Sequence, residues 1–156
     1  MQRRPRVWPR PTFPFVTALL ALGPLVGCGE SDYPEMARVS GTVTYKGKPV
    51  PNMMVNFMPR EGRPSWGKTD AEGKYELIYD EDYKGAKVDH HRVYLTVPAS
   101  TVDGGASKAS RRAIARSVGL SPEELADIRM RYGTEEKTKL AVDVKKDPEV
   151  LDLRLE

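Results

Sequence analysis

Asp89-His90-His91 places two imidazoles beside a carboxylate, and these are the only histidines in the chain. Such a set could hold a transition metal. The stretch around it, KVDHHRVYLTVP, alternates in hydropathy and reads as a strand, with His91, Val93, Leu95 and Val97 facing inward. Adjacent residues of a strand project to opposite faces. His90 and His91 therefore cannot share one ion, and no metal site is expected. His91 should lie partly in the core and His90 in solvent. A second group, Asp80, Glu81 and Asp82 with Asp70 and Glu72, offers the oxygens that calcium prefers. Asp70-Ala71-Glu72-Gly73 is shorter than a calcium loop and suits a hairpin turn, so these acids are read as solvated. The sequence offers no Ser-His-Asp set and no phosphate-cradling glycine loop. No cofactor is expected.

The single cysteine, Cys28, follows an N-terminus of a particular layout. A basic stretch, MQRRPRVWPR, precedes an apolar run from Phe13 to Val26. A spanning helix needs about 20 apolar residues, and this run is shorter and holds Pro14 and Pro24. It reads as the n-region and h-region of a secretion signal. Leu25-Val26-Gly27-Cys28 resembles the lipobox of bacterial lipoproteins. That resemblance implies lipidation of the Cys28 thiol and cleavage before it, with Gly27 as the small residue at the cut. The expected partner is a membrane, held through acyl chains on Cys28. The expected location is exported and facing the periplasm or cell surface.

Charge supports this division. The formal net charge is +3, but Arg3, Arg4, Arg6 and Arg10 all lie in residues 1–27, which contain no acid. The remainder carries a net charge near zero, which argues against nucleic acid as a partner. Residues 28–36 are polar and read as a tether.

From Ala37 the pattern has period two. Val39, Gly41, Val43 and Tyr45 share one face, and Gly47 supplies a turn after them. Met53, Val55 and Phe57 then face one way, and Met54, Asn56 and Met58 the other. GRPSWGKTDAEGKYELIY reads as a strand, a tight turn and a strand. Leu140, Val142 and Val144, and then Leu151, Leu153 and Leu155, form two late alternating runs. Residues 99–131 interrupt this rhythm as an insert. Its clearest element is a helix with Ser121 as N-cap, Pro122 at the first position, Glu124 completing a capping box and Gly133 as the stop. Leu125 and Ile128 should share its buried face. The SKASRRAIARS segment before it leaves helix and disorder both open. The fold class expected is all-β: a sandwich of roughly seven antiparallel strands over residues 37–156, with a helical insert.

VSGTVTYKGKPVPNMMVNFMP, KTDAEGKYEL, RYGTEEKTKLAVDVKK and VLDLRL together resemble the small bacterial lipoproteins with a carboxypeptidase regulatory-like domain. That domain is similar to transthyretin, and the resemblance implies a Greek-key sandwich and a non-enzymatic module. It covers about residues 37–97 and 131–156, and the insert departs from it. Enzymes on related sandwiches do not fit. The transthyretin-like hydrolases of purine degradation end in Tyr-Arg-Gly-Ser, whereas this chain ends in LDLRLE.

The insert also carries Lys108, Arg111, Arg112 and Arg116 with no acid among them. Loops on a rigid scaffold concentrate binding function. These four cations are the candidate partner-binding residues, suited to an acidic envelope protein or an anionic polysaccharide. A solvated linker with an ordinary helix would explain them equally well. The expected function is a non-catalytic binding or scaffolding module. The alternative is an enzyme, or an accessory subunit of one, with its site built by the insert.

Overall fold

The structure, a computed structural model, describes residues 33–98, 107–145 and 147–156. The expected signal segment, Cys28 and most of the linker before the basic segment lie outside the described residues. No helix among the described residues is long and apolar enough to cross a membrane.

The chain is an all-β sandwich with two short helices. Its first sheet is organised on β2 (Val39–Tyr45), where Val39, Val43 and Tyr45 are buried and Ser40 is exposed. The tight turn after β2, with Lys46 and Gly47 both at positive φ, starts β3 (Lys48–Pro49). β6 (Lys74–Glu76) pairs with the same edge of β2, and β10 (Glu149–Val150) and β11 (Leu153–Leu155) with the other. The second sheet runs in the order β5 (Ser65–Lys68), β4 (Met54–Pro59), β8 (His90–Thr96), β9 (Ala141–Asp143), antiparallel throughout. A small ribbon pairs β1 (Met36–Ala37) with β7 (Ala86–Lys87). Tyr33, within the expected tether, packs its ring against Tyr79 and Tyr83.

The alternating apolar sets point inward as the sequence requires. Met53, Val55, Phe57, Val93 and Leu95 meet Val39, Val43, Leu153 and Leu155 in one core. On the outer face of β4, Met54 and Met58 are half-buried rather than exposed. Asn56 between them donates to Tyr94 O at 3.3 Å and to Thr96 Oγ1 at 3.2 Å, tying β4 to β8.

Two features differ from expectation. β10 and β11 run parallel to β2, so the sandwich is not wholly antiparallel. Side-chain alternation is the same for either direction, and only a long crossover is needed for a parallel pair. Thr42 and Asp152, neighbours here, are 110 residues apart in sequence. The ladder along β2 is interrupted between β10 and β11 at Asp152, whose carboxylate accepts the Thr42 N–H at 2.9 Å in place of a backbone carbonyl. The second difference lies around the Asp70–Gly73 turn. The turn forms, with Gly73 at φ 76° and the Asp70 N–H donating to Lys74 O at 2.8 Å. Its two strands then part to opposite sheets, β5 to β4 and β6 to β2, and rejoin through a single bridge between Trp66 and Ile78. Asp70 Oδ1 accepts the N–H groups of Glu72 and Lys74, so this acid serves the turn.

Candidate binding groove on the helical insert

The insert forms two helices, α1 (Lys108–Ser117) and α2 (Pro122–Tyr132). The segment left open between helix and disorder is therefore helical. Ser107 caps it by accepting the Ser110 N–H at 3.1 Å. The capping box of α2 forms as expected: Ser121 Oγ accepts from Glu124 N, and Glu124 Oε2 accepts from Ser121 N at 2.8 Å. That second bond holds the Glu124 carboxyl below its usual range. Gly133 ends α2, but in a right-handed conformation (φ −79°) rather than the left-handed one a glycine stop usually adopts. A Cβ there would lie 2.3 Å from the Arg129 carbonyl oxygen, so close approach explains the glycine.

Both helices share the sandwich core. Ala115, Val118, Leu120, Leu125 and Ile128 are buried in the same cluster as Val43 and Leu155. Polar contacts fix the junction. Tyr45 Oη donates to Asp127 Oδ2 at 2.7 Å, and Asn52 Nδ2 donates to Ser117 O at 2.9 Å. Arg131, one helical turn on, also binds Asp127. Bonds from Arg131 first, and then from Tyr45, hold the Asp127 carboxyl below its usual range.

With the helices held this way, their outer faces bound a groove of about 360 Å³. Lys108, Arg111 and Arg112 of α1 line one side. Glu123, Ala126 and Arg129 of α2 line the other, over Leu125. The structure thus brings together three of the four expected cations and adds Arg129. Arg116 is exposed at the last turn of α1 and does not line the groove. Arg129 was missed, although Glu123, Ala126 and Arg129 recur every three residues on one helix stripe.

The electrostatics of α1 are unfavourable on their own. Its first turn holds no acid, and Lys108, Arg111 and Arg112 crowd its N-terminal half. That end carries the positive pole of the helix dipole, which favours anions. Lys108 also stands three and four residues from Arg111 and Arg112, spacings at which like charges repel. None of the four groove cations forms an ion pair with a described residue.

The histidines sit elsewhere. His91 is fully buried, and its Nε2 lies 2.8 Å from Lys87 O, which makes Nε2 the protonated nitrogen. Burial pushes its pKa below the ordinary value. His90 projects to the other face, half-exposed, with Nδ1 2.6 Å from Asp143 Oδ1. Among the described residues, no group of three or more His, Cys, Asp or Glu side chains could hold a metal ion.

Fold and groove together define an all-β sandwich whose helical insert presents a cluster of exposed cations. No family model and no curated protein matches the chain. A solved structure of a DUF3823 family protein from Parabacteroides merdae is similar at 10% identity with a TM-score of 0.38. The match covers 78% of this chain and 46% of that one, so this chain spans about half that protein's length.

Proposed function

We propose that this chain is an exported, lipid-anchored module of the bacterial cell envelope, of the carboxypeptidase regulatory-like kind. It holds an acidic envelope protein or an anionic polysaccharide in the groove between α1 and α2. The anchor is Cys28, supported by Leu25-Val26-Gly27-Cys28 at the end of a short apolar run. Several acyl chains would hold the module firmly, since each buried methylene contributes about 0.8 kcal/mol.

The observation that carries the binding half is the set of four cations around one groove that form no ion pair among the described residues. Three of them stand where the helix dipole and their mutual repulsion oppose them. A bound anion would offset both terms. The module is non-catalytic in this reading. The guanidinium groups of Arg111, Arg112 and Arg129 present planar forks of donors that match carboxylate, sulfate or phosphate. The test is the triple variant Arg111→Glu, Arg112→Glu and Arg129→Glu in the anchored protein. The melting transition should survive, because all three side chains are exposed. Recovery of partners from envelope extracts should fall sharply. Retention of every partner by the variant would overturn the proposal.

A further inference from the structure

A second cleft, of about 650 Å³, opens beside the bridge between β5 and the segment after β6. Its apolar floor is Trp66 with Ile78. Trp66 is 42% exposed, one of the few large apolar side chains the fold leaves in solvent. Its backbone is nonetheless fixed on both sides. It pairs with Asn56 of β4, and its N–H and carbonyl both bond to Ile78, at 3.0 and 2.7 Å. The sequence pattern places Trp66 on the outward face of β5, between buried Ser65 and Gly67. Packing of the core does not require an indole there.

The rim of this cleft is polar. Arg63 and Lys84 are both committed within the protein. Arg63 lies 3.9 Å from Asp80 and stacks over the Tyr79 ring, and Lys84 binds Glu76 at 3.1 Å. Asp80 Oδ1 accepts the N–H groups of Asp82 and Tyr83. Glu81 and Asp82 remain as exposed acceptors. We infer that this cleft is a subsite for a neutral hexose-based glycan, with one sugar ring stacked on Trp66.

The chemistry follows from the ligand's two surfaces. A pyranose ring presents polarised C–H groups on one face, which an electron-rich indole face attracts. Its hydroxyls radiate outward, where carboxylates accept and a guanidinium or ammonium donates. Such a ligand matches an open apolar platform with a few polar groups at its edge. The alternatives match less well. A polyanion meets three rim carboxylates against two cations already paired. An added peptide strand meets an edge of β5 already occupied at Trp66 by Ile78. This subsite is separate from the α1–α2 groove and does not depend on it.

The test uses the full chain with Trp8→Phe, which leaves Trp66 as the sole tryptophan, excited selectively over the tyrosines. Indole emission is titrated with cellohexaose, laminarihexaose, mannohexaose and maltohexaose, with hexalysine as the charged control. At least one hexaose should give a saturable shift. By calorimetry on the full chain, Trp66→Ala should weaken that glycan about tenfold or more, while Trp66→Tyr retains most of the affinity. Both variants should keep the parent melting transition. The inference is wrong if no hexaose shifts the emission, or if hexalysine alone does. It is also wrong if Trp66→Ala abolishes self-association of the chain and leaves glycan binding unchanged.

Discussion

Tyr45, the last residue of β2, donates its phenolic hydrogen to Asp127 in the middle of α2 at 2.7 Å. One bond therefore joins the central strand of the first sheet to the insert that carries the groove. Tyr45 itself is buried, so its ring packs whether or not the bond is made. Tyr45→Phe should lower stability by about 1.5–3 kcal/mol, the range for a hydrogen bond to a charged acceptor. Amide hydrogen exchange in α2 should accelerate more than in β4 and β8. Equal acceleration everywhere would show that Asp127 does not tie the insert down.

A second prediction concerns Gly41. A Cβ at this position would lie 2.0 Å from the Leu151 carbonyl oxygen, which the Tyr75 hydroxyl also binds at 2.6 Å. The chain crosses this close because the interruption between β10 and β11 bends over β2. Gly41→Ala must push that segment away and break the Thr42–Asp152 bond. The expected loss is about 1–3 kcal/mol, read as a lower urea midpoint. An unchanged midpoint would mean the C-terminal strands do not pack as described.

The buried histidine makes stability depend on pH. Burial lowers the His91 pKa from 6.5, against the pull of the Lys87 and Phe57 carbonyls. The unfolded chain therefore takes up this proton at a higher pH than the folded one. The stabilising contribution is complete above about pH 6.5 and declines as pH falls through that value toward the lowered one. His91→Gln keeps an N–H for Lys87 O but cannot titrate. Urea unfolding between about pH 7 and pH 5 should show a slope in the parent and a flatter profile in the variant. Parallel profiles would place the titration elsewhere.

His90 and His91 point to opposite faces, and His90 is already paired with Asp143. Calorimetry should therefore find no tight, stoichiometric zinc binding. His90→Ala should cost under about 1 kcal/mol, as substitutions of solvent-facing side chains usually do. A tight site lost in both single histidine variants would contradict this geometry.

The inward sets of β2, β4 and β8 were legible because a half-buried strand imposes alternation. The cap of α2 was legible for a similar reason: Ser121, Pro122 and Glu124 satisfy local backbone groups that any helix start leaves open. Three other features were hidden. Strand direction leaves no trace in alternation, so the parallel β11 could not be read from Leu151, Leu153 and Leu155. Parting of the strands around the Asp70–Gly73 turn depends on β4 and β2 competing for them, a tertiary effect. The groove joins Arg129 to Lys108 only because Leu125 and Ile128 fix α2 beside α1. The basic segment itself was visible as a cluster of charge, and its division into groove cations and a separate Arg116 required the helix.

An envelope partner seated in the α1–α2 groove would lie against the α2 wall and away from the outer face of β11. Ala126 is exposed on its α2 wall, and Arg154 is exposed on the unrelated outer face of β11. A photo-crosslinking residue at each position, in the anchored protein within its native envelope, reports what lies against each face. Position 126 should give a discrete crosslinked product that disappears in the Arg111, Arg112 and Arg129 reversal, and position 154 should give none. A product from position 154 alone, or one from position 126 that survives the reversal, would contradict this placement.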